Sequence, residues 1–388
     1  MKKLLITILL CLPLMMANAE DLNLPRLNET AYASLITCGP GDEFYSSFGH
    51  SAIHICDTAL DLDVVYNYGM FSFSEPHFYW HFAKGPLNYW LGRTSYERFL
   101  LEYALAERAV WEQRLNLTNQ ELNNLFIALE WNHQPDNKYY HYDFFMDNCA
   151  TRARDMISNS LNHRSISIDQ VAHEENPSFR DIVYKSTENT LLWWRFGIDV
   201  LLGMRCDRAT SNSEQMFSPL EMMTQFDTIT LSDSHEPIVS ETTQILKDTR
   251  EPLKKSVSPT LVFWILFTVV MVLTLLAWMK GWKLTWLDAI LFGVVGLISL
   301  LVIFLWLFST HYCTKANLNL LWCSPFFIYF AIWQRKSNFV VMLFQILMLL
   351  TVLIGFWWLP QTFNTAIFPI ALTLLIRMID KFKEIKQY

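Results

Sequence analysis

Leu261-Val262-Phe263-Trp264-Ile265-Leu266-Phe267-Thr268-Val269-Val270-Met271-Val272-Leu273-Thr274-Leu275-Leu276-Ala277-Trp278 is an uninterrupted run without a charge, and its reading decides the architecture. A helix of about 20 apolar residues spans the hydrocarbon core of a bilayer. This run belongs to the first of five apolar segments, at about 260–279, 287–308, 319–333, 338–359 and 362–379, of which the third is short and interrupted by Pro325. From Thr260 to Ile376 there are 117 residues and six charges: Lys280, Lys283, Asp288, Lys315, Arg335 and Lys336. The other 271 residues hold 61 charges, an ordinary globular proportion. The chain therefore has a soluble part and a membrane-embedded part, which excludes a cytosolic enzyme, a disordered protein and a plain secreted one. A net charge of −7 leaves no basic surplus, so nucleic acid is not an expected partner.

Working outward, residues 1–19 have the order of a secretory signal: Lys2 and Lys3, an apolar stretch from Leu4 to Met16, then Ala17-Asn18-Ala19 before a mature start near Glu20. Translocation places the soluble part outside. The loop with Lys280 and Lys283, the pair Arg335 and Lys336, and the tail with Arg377, Lys381, Lys383 and Lys386 then all fall inside, as the positive-inside rule requires. The expected organisation is a signal peptide (1–19), an extracytoplasmic domain (20–229), a polar linker (230–259) and a transmembrane domain of five helices (260–388).

Within the soluble part, alternation between turn residues predicts strands at Ala33–Cys38, Phe48–Cys56, Val64–Tyr68 and near Arg108–Leu117, with Tyr139–Phe145 extended. Thr118-Asn119-Gln120-Glu121 is a capping box that opens a helix to about Trp131, Asp147–Ser158 reads as a second helix, and Ser218-Pro219 starts a third. The fold class is α+β with a mainly antiparallel sheet, followed by an all-α membrane bundle.

Two residues stand out chemically. In Phe144-Phe145-Met146-Asp147-Asn148-Cys149-Ala150-Thr151-Arg152 a polar step suits a helix N-cap and puts Cys149 in the first turn. There, free N–H groups and the helix dipole favour a thiolate and could receive an oxyanion. Phe48-Gly49-His50-Ser51-Ala52-Ile53 places a histidine at the start of a strand after a glycine, and a strand-borne imidazole facing the N-terminus of a cysteine helix is an arrangement suited to nucleophilic catalysis. The bland readings are a structural or disulfide cysteine and a structural histidine. Cys38, Cys56, Cys149, Cys206 and Cys313 show no CxxC pair and no zinc-site spacing, and their disulfide pairing stays open. No metal or organic cofactor is called for.

Taken together, Thr37-Cys38-Gly39-Pro40-Gly41, Phe48-Gly49-His50-Ser51-Ala52-Ile53, Tyr66-Asn67-Tyr68-Gly69, Phe82-Ala83-Lys84-Gly85 and Asp147-Asn148-Cys149-Ala150-Thr151-Arg152 resemble the successive motifs of the Lnb-type lipoprotein N-acyltransferases. The stretch from His311 to Pro325, with Asn317-Leu318-Asn319-Leu320-Leu321-Trp322, resembles that family's membrane motif. The resemblance implies a permuted papain-like catalytic domain in the periplasm, held by a multi-pass bundle in a bacterial inner membrane. It implies Cys149 as nucleophile and His50 as base, a membrane phospholipid as acyl donor and a diacylated lipoprotein as acceptor. His54 stands where the family is expected to favour Arg.

The imidazole needs an orienting third group. Asn67 is the first choice and His54, on the same strand face as His50, the second. Tyr45 is a candidate oxyanion donor or an ordinary aromatic core residue. Arg152 would pair a phosphate or Asp155, and His311, Asn317 and Asn319 would touch headgroups or the lipoprotein amine, or else cap and join helices. The competing activities for the same pair are a cell-wall peptidase or amidase and a phospholipase with water as acceptor.

Overall fold

The structure is a computed structural model and describes residues 23–85, 87–187, 191–251, 256–333 and 338–386. The signal peptide read at 1–19 lies outside the described residues. The chain divides into two compact units, one drawn from 1–78, 86–176 and 210–252 and the other from 79–85, 177–209 and 253–388.

In the first unit, β1 (Tyr32–Cys38), β2 (His50–Asp57), β3 (Leu62–Met70), β4 (Asn88–Ser95), β5 (Val110–Leu115), β6 (Tyr139–His141) and β7 (Val239–Leu246) form one sheet in the order β6-β4-β3-β2-β1-β5-β7. Every pairing is antiparallel. Successive side chains of a strand point to opposite faces, and that alternation builds two apolar layers. Ile36, Cys38, Ala52, Val65 and Val110 pack with Phe99 and Tyr103 of α1 (Tyr96–Leu105). Leu35, Ile53, Ile55, Val64, Tyr66 and Tyr68 join Leu122, Leu125 and Leu129 of α2 (Asn119–His133) and Ala150, Ala153 and Ile157 of α3 (Cys149–Ser160). Leu125 and Leu129 are fully buried, each such side chain stabilising the unit by about 1.5–3 kcal/mol. The Thr118–Glu121 capping box is formed as the sequence predicts. Met222 and Phe226 of α4 (Pro219–Phe226), which begins with Pro219 behind Ser218, join the same layer as Leu125.

Several elements differ from the sequence reading, three of them in the sheet and the helix packed on it. Strand β4 and helix α1 were not among the predicted elements, and β7 lies inside the stretch read as linker, 230–259. β7 is an edge strand whose Ser240, Glu241, Thr242, Thr243 and Gln244 are exposed, so it carries no apolar alternation to read.

The second unit contains α5 (Pro259–Lys280), α6 (Thr285–Phe308), α7 (Phe326–Ile332), α8 (Phe339–Gly355) and α9 (Ile367–Lys386) at the five expected positions. By length and composition α5 and α6 can each cross a membrane. α7 has seven residues, about 10 Å at 1.5 Å per residue, because Pro325 starts it afresh after a 3-10 turn at Leu318–Leu321. Trp322, Phe327 and Phe330 pack with Met342, Leu349 and Ile367 in one core. Residues 177–209, assigned from sequence to the soluble domain, belong here, because Phe196, Val200 and Leu201 join that core. Arg180 is buried between Asp199, at 2.7 Å, and Asp207, at 2.8 Å. The six described cysteines are free thiols.

Candidate active site

The turn before α3 is built to present Cys149. Asp143 accepts the backbone N–H groups of Phe145 and Met146, and Asn148 donates its amide to the carbonyls of Phe144 and Phe217, 2.8 Å each. The oxygen of the same Asn148 side chain accepts the N–H groups of Ala150 and Thr151 at 3.0 Å, while Thr151 Oγ1 accepts that of Asn148. This reciprocal cap pins Cys149 as the first residue of α3.

The partner strand is set by glycine. Gly49 has φ +85°, and a Cβ there would lie 2.6 Å from the Cys38 carbonyl, so only glycine admits the turn that starts β2 at His50. His50 is in register with Cys38. Its Nε2 lies 3.1 Å from Asn67 Oδ1 on β3. An amide oxygen only accepts, so Nε2 carries the proton and Nδ1 keeps a lone pair. Cys149 Sγ accepts the backbone N–H of Ser51, the residue after His50, and that of Ala150. The three residues named as catalytic from sequence are therefore gathered at one end of the sheet.

Their charge states differ from the sequence expectation. Burial holds the His50 imidazole down to about 4 from an ordinary 6.5, the Asn67 bond partly opposing and Arg108 adding to the fall. Burial pushes the Cys149 thiol above its ordinary value despite the N–H donors of Ser51 and Ala150. The helix terminus is present, but desolvation outweighs it, so the resting pair is neutral thiol and neutral imidazole rather than a ready thiolate. Cys38, beside His50, is pushed up to about 12 by burial and is inert as a nucleophile.

The wall of the site was not legible in advance. Gly69, with φ +88°, lies against Cys149, and a Cβ built on it would stand 3.5 Å from the Cys149 Cβ. Tyr68, Tyr89, Tyr140 and Tyr142 pack in the same layer as Cys149. The tyrosines of Tyr139-Tyr140-His141-Tyr142 are the available signal, but alone they indicate no more than an extended segment.

Other expected site residues are placed elsewhere or otherwise engaged. His54 is buried, with Nδ1 2.8 Å from Glu112 and Nε2 2.6 Å from Asp63, and stacks on Tyr96 at 4.0 Å. Both nitrogens are occupied by carboxylates, so it does not orient His50. Tyr45 is 61% exposed and touches Phe71 and Phe73. Arg152 pairs with Asp147, at 2.6 and 2.7 Å, and not with Asp155, which Arg154 takes. Its guanidinium also covers the Tyr140 ring at 3.9 Å.

In the second unit, His311 Nε2 lies 2.7 Å from the Phe82 carbonyl. Asn317 donates to the carbonyls of Val200 and Leu201, and Asn319 to those of Asp199 and Val200. The Asn319 oxygen accepts the Trp322 indole N–H at 2.8 Å. Both amides are buried and spent on the protein itself, which is the capping role and leaves neither for a substrate.

Two family models match the chain. One, the Lnb N-terminal periplasmic domain, covers residues 26–182, and the other, the Lnb transmembrane domain, covers residues 251–387. No curated protein and no solved structure matches.

Proposed function

This chain belongs to the Lnb family, a membrane protein with a periplasmic domain, and from that premise we propose that it is a lipoprotein N-acyltransferase with Cys149 as nucleophile. The observation that carries the reading is the chain of contacts from the Cys149 thiol to the Ser51 N–H beside His50, and from His50 Nε2 to Asn67.

The neutral pair dictates the order of events. His50 Nδ1 takes the thiol proton as Sγ attacks the ester carbonyl of a phospholipid. Nε2 stays bonded to Asn67, which keeps the ring in the productive tautomer. Collapse forms a thioester on Cys149, and the lysophospholipid leaves with the proton from His50. The amine of a diacylglyceryl-cysteine then attacks the thioester, giving the N-acylated lipoprotein and restoring the thiol. Splitting one acyl transfer into two steps is the advantage of a covalent nucleophile. Both substrates are membrane lipids, which fits a catalytic domain and a transmembrane domain on one chain.

The test is intact-mass analysis of the detergent-purified protein after incubation with phospholipid. A hydroxylamine-sensitive acyl adduct is expected on the parent protein, absent in Cys149→Ala, and discharged by a diacylated lipopeptide with a free N-terminus. Release of free fatty acid without an N-acylated product would make the protein a phospholipase, and absence of any adduct would remove the acyl mechanism.

A further inference from the structure

We infer that Tyr140 is the side-chain donor that receives the substrate's carbonyl oxygen while Cys149 attacks, an assignment that rests on the reading of Cys149 as an acyl-accepting nucleophile. The Tyr140 hydroxyl is buried and has no hydrogen-bond partner among the described residues. Two other phenols of the same layer do find partners: Tyr66 bonds Glu130 and Tyr68 bonds Asn132. A buried hydroxyl without a partner costs stability and is rare in native proteins, so one retained beside a nucleophile calls for a partner that arrives with the substrate.

Its position suits that partner. The Tyr140 hydroxyl lies 4.0 Å, and the Cys149 Cβ 3.5 Å, from the single point where a side chain on Gly69 would begin. Glycine leaves that point open. The ring is fixed from several sides: by β6 pairing opposite Tyr89, by the Tyr68 edge at 6.0 Å and by the Arg152 guanidinium at 3.9 Å. Burial also holds the phenol well above its ordinary pKa, so at neutral pH it is a donor.

In the step concerned, the Sγ–C bond forms as the carbonyl π pair moves onto oxygen. Tyr140 donates a hydrogen bond to that oxyanion and keeps its proton. When the intermediate collapses, C=O is restored, the ester C–O bond breaks, and His50 protonates the leaving alkoxide. The backbone N–H at the start of α3 is the natural second donor.

The experiment uses the full-length protein with dioctanoyl phosphatidylglycerol micelles as acyl donor, reading the rate of Cys149 octanoylation by mass. A parallel reaction with iodoacetamide reports thiol access and activation, because displacement at its methylene develops no oxyanion. Tyr140→Phe is expected to slow octanoylation about 100-fold while alkylation stays within twofold. Placing the more acidic 3-fluorotyrosine at 140 should accelerate octanoylation without altering alkylation. Octanoylation of Tyr140→Phe within threefold of the parent overturns the assignment. So does a parallel fall in both reactions combined with no response to fluorination, which marks a packing role. If the parent protein itself forms no Cys149 adduct, the nucleophile reading fails, and the donor role fails with it. An adduct that forms equally in Tyr140→Phe but not in Cys149→Ala removes the donor role alone.

Discussion

His50 Nε2 and Asn67 Oδ1 face one another at 3.1 Å across neighbouring strands, and the direction of that bond leaves Nδ1 as the only basic atom of the ring. Asn67 is buried and contributes no charge, so its effect is to hold a tautomer and an angle. Asn67→Ala is therefore expected to lower the acylation rate about 10- to 100-fold, no more than the low end of what proton-transfer catalysis contributes because the base itself stays in place, with little change in donor KM. Steady-state assays with a phospholipid donor measure both constants, and a rate within threefold of the parent would show that the ring is oriented by something else.

The neutral resting pair predicts an unusual pH profile. With His50 held down to about 4, the acid limb of acylation should lie near pH 4 and the rate should be flat through neutrality. Alkylation of Cys149 by iodoacetamide should keep rising beyond pH 9, because burial has raised the thiol. A preformed thiolate would instead give a plateau of alkylation across neutral pH.

Stability follows the same linkage. The folded-state value of His50 lies below its unfolded value, so the unfolded chain binds the proton more tightly. The contribution of the neutral ring is fully present above about pH 6.5 and is lost progressively as pH falls toward 4. Thermal melts of the parent and His50→Gln across that window should converge at low pH, and parallel curves would contradict the shift.

His54 is expected to matter for folding and not for turnover. Removing it leaves Glu112, with the exposed Asp63 close by, without the imidazole between them. His54→Ala should cost about 3 kcal/mol of domain stability, the low end for breaking a buried pair. Melting temperature reports that loss, and turnover per folded molecule should stay within threefold.

Asn319→Ala would orphan the Trp322 indole N–H and take a donor from the Asp199 and Val200 carbonyls. A loss of about 1–3 kcal/mol is expected for buried groups left unpaired. Thermal melting in detergent measures it, and an unchanged melting temperature would return this amide to the candidates for substrate contact.

Local signals were readable where residue type and position coincide. Asn148 before Cys149, Thr118 three residues ahead of Glu121, and Gly49 before His50 each act within a few residues, and the corresponding elements formed where they were expected. Asn67 was reachable because it lies on the strand next to His50. His54 misled because two-residue alternation reports a shared face and says nothing of what stands opposite. Its partners come from β3 and β5, and Glu112 is 58 positions along the chain. Strand β7 escaped because an exposed edge strand has no apolar pattern, and the packing of residues 177–209 with the apolar unit was not legible because an apolar helix does not announce which core it joins.

The amino-acid sequence alone determined the division into a charged domain and an apolar bundle, the capped helix that begins with Cys149, and the candidate pair of Cys149 and His50. These depend on composition and on interactions spanning a few residues, which survive in a linear reading. Only the tertiary structure decided that the thiol and the imidazole rest neutral, that Arg152 belongs to Asp147 and Tyr140, and that a tyrosine hydroxyl beside Cys149 has no partner among the described residues. Desolvation and hydrogen-bond satisfaction depend on everything packed around a group, and those neighbours come from strands and helices far apart in the chain.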